Sequence, residues 1–200
     1  MWTEFLNWLG ALPQGSASFI GTLTGSFLGL VALLLGALFN AHLNRRRDDA
    51  LRSADRLAVA SALHAELLAI HRALIENAKF LEEKPLDSDG GFMVPEPSMK
   101  ILPKMVLNIG LLQSDTIRKV MDAYVLTEQY LEGLILADGR LEPNMPEGRQ
   151  LVHLPAQRKA FVVEFNRTRA GVVKEAIDAL DPYLSAGQNF ATASSSEAPR

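Results

Sequence analysis

The stretch from Phe5 to Asn44 contains no Asp, Glu, Lys or Arg, and this property constrains the fold more than any other feature of the sequence. Its centre, residues 17–41, reads ASFIGTLTGSFLGLVALLLGALFNA. A helix needs roughly 20 mostly apolar residues to cross the hydrocarbon core of a bilayer, which is about 30 Å thick. The sequence therefore predicts one transmembrane helix over residues 17–43.

The residues on either side of this segment predict a retained anchor and its orientation. A cleaved secretory signal begins with basic residues and has a short apolar core, but the first four residues here, MWTE, carry no Lys or Arg and the core is long. Arg45, Arg46 and Arg47 follow the segment directly, and membrane proteins concentrate Lys and Arg on the cytoplasmic side. We therefore expect the N-terminus outside and the C-terminal domain in the cytoplasm.

Residues 1–16 carry two tryptophans, Trp2 and Trp8, beside apolar residues at helical spacing, until Pro13 and Gly15 break the pattern. Tryptophan favours the headgroup layer, which accommodates both its apolar ring and its N–H donor. The pattern favours a short helix lying on the outer face of the membrane. The alternative is a disordered leader whose aromatic residues are incidental.

Small residues follow one face of the predicted span. Gly21, Gly25 and Gly29 recur every four residues, and Ala32 and Gly36 continue the track. Small side chains let another helix approach closely and gain van der Waals contact inside a membrane. We therefore expect this face to pack on a second copy of the chain or on a helix of another membrane protein. The alternative is that this spacing arose by chance.

Neither Gly nor Pro occurs between residues 40 and 84, a region rich in good helix formers. The helix should therefore continue through a polar stalk, residues 44–56, into a cytoplasmic helical domain, residues 57–186. Apolar residues in the domain part alternate in steps of three and four, as an amphipathic helix requires. They are Leu57, Ala60, Leu63, Leu67, Ile70, Leu74, Ala78 and Leu81, with Leu68 and Ile75 widening the stripe.

After Pro85 the chain enters a loop. Residues 85–104 contain four prolines and two adjacent glycines, which argue against regular structure over most of the loop. The apolar residues 92–94 should nevertheless pack on the domain. Pro103 suits the start of a short helix.

Two longer helices are predicted in the rest of the chain. Ser114 or Asp115 caps the first, which should end near residues 138–139. The second starts at Pro155 and is weakened or ended by Pro182. Residues 187–200 are small and polar, and we expect them to be disordered.

The predicted fold is all-α: one N-terminal transmembrane helix that continues into a cytoplasmic three- to four-helix bundle. No alternation of apolar and polar residues is long enough to predict a sheet. The net charge of −3 argues against nucleic acid as the main partner, because phosphate binding needs a clustered basic field. Because the chain contains no cysteine, it has neither disulfides nor thiolate metal ligands.

Two parts of the domain together form a recurring pattern. Residues 108–124, NIGLLQSDTIRKVMDAY, contain an Ile109-Gly110-x-Leu112 turn before a helix with an apolar stripe and Tyr124, and residues 65–70 of the first helix read AELLAI. The combination resembles small single-span bacterial membrane proteins of unknown function. The resemblance implies a membrane-anchored helical domain. It carries neither an activity nor any site residues with it.

His64 and His71 are the strongest candidates for metal ligands. They lie seven residues apart, whereas two ligands on one helix are usually three or four apart, and Glu66 points to another face. We therefore interpret both as half-buried structural histidines, with a metal site as the alternative. Because motifs for a nucleophilic serine or a phosphate loop are also absent, no catalytic, cofactor-binding or metal-binding residue is predicted.

The last helix carries five basic residues, and these could bind anionic lipid or an acidic partner, or could be an ordinary solvated face. They are Arg158, Lys159, Arg167, Arg169 and Lys174.

Together the patterns favour a non-enzymatic, membrane-anchored interaction or scaffold protein, working in a homo-oligomer or a membrane complex. One alternative is a membrane-perturbing effector, in which Ser18, Thr22 and Ser26 line a pore or leak that the cytoplasmic domain regulates. A less favoured alternative is a metal-dependent enzyme built from His64 and His71.

Overall fold

The computed structural model of this protein describes residues 3–4, 7–8, 14–83, 91–142 and 150–196. The chain divides into two compact units, Met1–Leu51 and Arg52–Arg200. Helices account for most of the described residues, which agrees with the predicted helical fold.

The first helix, α1, runs from Gln14 to Glu83 without interruption. This is the continuous helix that the absence of Gly and Pro between residues 40 and 84 predicts. Among the described residues, α1 is also the one helix that is long and apolar enough to cross a membrane, judged by length and composition alone.

In the second unit, one face of α1 enters the hydrophobic core, as its apolar stripe predicts. Of the predicted stripe, Leu57 is half-buried and Leu68 is exposed rather than part of the core. The buried members are Ala60, Leu63, Leu67, Ile70, Leu74, Ala78 and Leu81.

The second unit also contains a small antiparallel sheet, which the sequence did not predict. Its strands are β1 (Gly91–Pro95), β2 (Arg140–Leu141) and β3 (Leu151–Pro155). Their order in the sheet is β1-β3-β2. The prediction of irregular structure over residues 85–104 is therefore wrong at β1.

Each of the two longer strands buries two side chains. Phe92 pairs with Leu154 and Val94 pairs with Val152 across the sheet, and all four are buried, whereas Met93 is exposed. The expected packing of residues 92–94 is thus confirmed for two of the three. Such short alternation cannot be distinguished from a loop by its period.

Short helical elements follow β1. α2 (Leu102–Met105) carries Pro103 in its first turn, as predicted, and a 3-10 helix (Val106–Leu111) continues from it. α3 (Ser114–Glu128) and α4 (Tyr130–Leu136) then occupy the region predicted as one helix.

The break between α3 and α4 lies at Gln129. Close to it, the Thr127 hydroxyl donates to the Ala123 carbonyl oxygen at 2.7 Å, a bond that often bends helices. The predicted end near residues 138–139 is confirmed. Asp138 has a φ of 67°, and the amide of Gly139 donates to the Leu134 carbonyl oxygen at 3.0 Å.

The last helix, α5 (Lys159–Ser196), follows a 3-10 turn and continues through Pro182. The proline removes the N–H that would bond to the Asp178 carbonyl oxygen. The hydroxyl of Thr116 in α3 donates to the next carbonyl oxygen, that of Ala179, at 3.4 Å. A side chain of α3 thus contacts α5 at the carbonyl next to the one that Pro182 leaves without its helical donor.

Of the two outcomes expected at Pro182, weakening or ending of the helix, the structure shows that the helix does not end there. The two ends of α5 differ from the expectation. Pro155 is the last residue of β3 and α5 begins at Lys159, and the backbone stays helical to Ser196, past residue 187, where disorder was expected to begin. Residues 197–200 of that expected tail lie outside the described residues.

One hydrophobic core joins α1, α3, α4, α5 and the sheet within the second unit. Tyr130 is among its largest fully buried side chains. Its hydroxyl donates to the Asn166 side-chain oxygen at 2.9 Å, and the Asn166 amide donates to the Val162 carbonyl oxygen at 2.8 Å. Burial raises the pKa of Tyr130 to about 12, so the phenol stays protonated.

Candidate functional site

The charge-free part of α1 exposes apolar side chains around its whole circumference. Leu33, Leu34 and Leu35 are 75%, 56% and 62% exposed. Because consecutive helical residues point about 100° apart, exposure of three in a row leaves no single apolar face. We call residues 18–43 the apolar segment. Its other exposed large apolar residues are Phe19, Leu23, Phe27, Leu28, Leu30, Leu38, Phe39 and Leu43.

The predicted packing glycines all lie on the apolar segment. A Cβ atom added to Gly21, Gly25, Gly29 or Gly36 would meet no described neighbouring atom within 4 Å. Each of the four glycines thus has room for a side chain beside the described part of the chain.

The predicted membrane-flanking residues are placed in part. Trp2 lies outside the described residues, and Trp8 is exposed. Arg45, Arg46 and Arg47 are exposed on α1, directly after the apolar segment.

The second unit holds a buried carboxylate that sequence reasoning gave no role. Glu66 on α1 is 7% exposed. Its Oε1 accepts hydrogen bonds from the backbone amides of Lys100 and Ile101, the latter at 2.7 Å, and its Oε2 accepts from the Leu102 amide at 3.1 Å. The Tyr124 hydroxyl donates to Oε2 at 2.5 Å. We call this arrangement the Glu66 site.

The electrostatics of the Glu66 site favour an ionised carboxylate and a neutral phenol. Burial alone would raise the pKa of Glu66, but the bonds from Tyr124 and the three amides outweigh it and leave that pKa below its usual value. Burial and the neighbouring carboxylate raise the pKa of Tyr124. Because all four donors point at the same carboxylate, the site cross-links α1, α2 and α3.

Residues 65–70 and residues 108–124, the two sequence motifs described above, meet at this site. Glu66 belongs to AELLAI and Tyr124 ends the second motif. One sequence signal was available: Glu66 lies three residues after Leu63 and four before Ile70, within the buried stripe. A lone acidic residue at such a position must find donors when it is buried.

The histidines do not come together. His64 Nε2 lies 3.5 Å from Asp181 Oδ1, on α5. Burial and Lys174 lower the pKa of His71, with Asp178 opposing them. In the described part of the chain, no three His, Asp or Glu side chains converge as a metal site would require.

Most of the basic residues predicted on the last helix bond within the protein, although Arg158 lies in the 3-10 turn before α5. Arg158 bonds to Asp138, Arg167 to Glu82 and Lys174 to Asp178. Arg169 donates to the Leu126 carbonyl oxygen and covers the Phe165 ring at 3.4 Å. Four of the five predicted basic residues thus have partners within the domain.

Comparison with known proteins gives no match to a protein-family model, a curated protein or a solved structure.

Proposed function

We propose that this protein is a single-span bacterial inner-membrane protein whose C-terminal helical domain is a cytoplasmic interaction module. The observation that carries the proposal is the apolar segment, residues 18–43, whose large side chains are exposed all round. Lipid tails are the surroundings in which such a helix is stable, because they cover apolar surface without needing a specific partner.

The proposed orientation rests on Arg45, Arg46 and Arg47, which lie exposed just after the apolar segment. It places the N-terminus outside and residues 57–186 in the cytoplasm. The open surface at Gly21, Gly25, Gly29 and Gly36 supports association with a second copy or with another membrane protein.

The second candidate, a pore or leak lined by Ser18, Thr22 and Ser26, gains no support from the hydroxyl geometry. Thr22 Oγ1 donates to the Ser18 carbonyl oxygen of its own helix at 2.9 Å. A hydroxyl bonded in this way is not directed at a water path.

Single cysteines test both the span and its orientation, because the native chain contains no cysteine. Thr3→Cys lies before the apolar segment and Ser61→Cys after it, and both positions are exposed. In spheroplasts we expect a membrane-impermeant maleimide to label Thr3→Cys, and to label Ser61→Cys only after lysis. Labelling of both before lysis, or the reverse pattern, would contradict the proposed topology.

A variant with Arg in place of Leu33 and Leu34 tests whether the apolar segment anchors the protein in the membrane. Each charge at the centre of a span costs roughly 2.5–3.5 kcal/mol on insertion scales. The native chain should stay with the membrane during alkaline carbonate extraction, and this variant should be released. Release of the native chain as well would mean that the apolar segment does not span the membrane.

A further inference from the structure

Residues Leu102–Leu111, which we call the 102–111 segment, carry a second exposed apolar surface. Leu107 is 92% exposed, the highest exposure among the large apolar residues of the described chain, and its neighbour Val106 is also exposed. Met105, Ile109 and Leu111 are partly buried and pack against the core. The core therefore holds one side of the segment while Leu107 points to solvent.

Every charged residue in the sequence from Pro97 to Gln113 is a lysine. Lys100 and Lys104 are exposed, and no Asp or Glu occurs from Pro97 to Gln113. Glu66, which bonds to the amides of residues 100–102, is buried. The exposed residues of this stretch are thus apolar, polar or basic, which fits the boundary between headgroups and acyl chains of an anionic lipid surface. A solvated protein surface would mix charges of both signs.

The position of the segment fits the same partner. Arg56 Nε donates to the Leu111 carbonyl oxygen at 2.9 Å, so the segment lies beside the start of the second unit, which begins at Arg52. Residues 44–55 alone separate Arg56 from the apolar segment along the chain. The 26 residues of the apolar segment, 18–43, measure about 39 Å as a helix, longer than about 30 Å of hydrocarbon. Tilting accommodates such an excess and brings the chain that follows closer to the headgroups.

We propose that the 102–111 segment docks on the cytoplasmic surface of the membrane, with Leu107 inserted among the lipid headgroups and Lys100 and Lys104 against anionic lipids. This inference rests on the proposed membrane span. Its physical basis is that insertion removes an exposed leucine from water while both lysines keep their charge at the interface.

A polarity-sensitive label on single cysteines of the full-length chain tests the docking. Leu107→Cys probes the segment and Leu33→Cys probes the span. Leu136→Cys is the matched control, because Leu136 is an apolar residue that is 86% exposed. Leu136 belongs to α4, in which Gly133 lies against Phe165 of α5. Two residues further along α5, Arg167 bonds to Glu82 near the end of α1. Leu136 thus lies at the end of the domain opposite Arg56.

The labelled proteins are reconstituted into vesicles of phosphatidylcholine with phosphatidylglycerol, with nitroxide groups on the lipid headgroups. At Leu107→Cys we expect a blue-shifted emission and a loss of intensity caused by the nitroxide, with neither change at Leu136→Cys. Replacing Lys100 and Lys104 with Gln, or omitting phosphatidylglycerol, should reduce the loss at Leu107→Cys.

Three results would overturn the inference, and they are distinguishable. If Leu107→Cys behaves like Leu136→Cys while nitroxides placed deep in the acyl chains quench Leu33→Cys, the span stands and the docking is wrong. A blue shift at Leu107→Cys that persists in detergent and resists the nitroxide means that a second copy covers the segment. If Leu33→Cys is not quenched either, the proposed span fails and the docking fails with it.

Discussion

Glu66 shows how one residue can fix the arrangement of three helices. Its carboxylate receives the amides of residues 100–102, which precede or begin α2, and the hydroxyl of Tyr124 from α3. Amides at a helix start lack partners within the helix, and a negative charge there also interacts favourably with the helix dipole. One side chain, that of Glu66, therefore accepts the hydrogen bonds that these backbone amides would otherwise make to water.

Glu66→Gln should destabilise the second unit by about 1–3 kcal/mol, because the amide group cannot accept from all four donors and buried donors lose their partners. The thermal unfolding midpoint of the full chain in detergent, followed by circular dichroism, measures the change. Glu76→Gln on the same helix is the control, since Glu76 is exposed. Equal midpoints for the native chain and Glu66→Gln would contradict the structural role.

The effect of Glu66→Gln on stability should depend on pH. The pKa of Glu66 is below its ordinary value of 4.5 in the folded protein, so folding favours the ionised form. The resulting stability is fully present above the unfolded-state pKa and is lost as the pH falls through the folded-state pKa. The difference in stability between the native chain and Glu66→Gln should therefore shrink below about pH 4.5. A difference that stays constant across this range would show that the carboxylate charge is not involved.

Two helical glycines show that the same residue type serves different purposes in different elements. Gly133 in α4 lies under the Phe165 ring, and a Cβ atom there would approach that ring at 2.5 Å. The ring cannot move freely, because it also packs near Tyr130 and under the Arg169 guanidinium. Gly171 in α5 has open space around it.

Alanine at these two positions should therefore act in opposite directions. Gly171→Ala should stabilise the protein by about 0.5–1 kcal/mol through helix propensity alone. Gly133→Ala gains the same propensity but overpacks the Phe165 contact, and we expect a net loss of about 1–2 kcal/mol. Unfolding midpoints of the two variants check both signs. Stabilisation by both substitutions would mean that the Phe165 ring moves aside without cost.

The helices and strands also differ in how far sequence predicted them. The part of α1 after residue 40 followed from its apolar stripe and from the absence of Gly and Pro there, since helix formation depends on local bonding between residues four apart. β1 and β3 did not, because each buries only two side chains and gains its hydrogen bonds from a strand distant in sequence.

At the scale of the whole molecule, the two units differ in what surrounds their apolar residues. The second unit buries its apolar residues in one shared core. The first exposes those of the apolar segment, including its glycine surface. Under the proposed function, lipid covers most of that segment, and a second helix covers the glycines.

Gly25→Leu should weaken this association, because a bulky side chain keeps the second helix away. Ala37→Leu is the control, since it adds similar bulk about a third of a turn away from Gly25. Crosslinking through a single cysteine near the end of the span, in native membranes, compares the two variants. If Gly25→Leu crosslinks as well as Ala37→Leu does, the glycines are not the packing surface.

The sequence by itself determined the apolar segment, the continuity of α1 and the buried stripe of its domain part. These features depend on composition and on periods of a few residues, which are legible without knowing the fold. Only the tertiary structure decided the sheet, the passage of α5 through Pro182 and the Glu66 site. Each of these depends on partners far apart in sequence: β1 with β3, Thr116 with the Ala179 carbonyl, and Glu66 with Tyr124. A local pattern cannot specify such partners, because the bonds exist only once the core has brought the elements together.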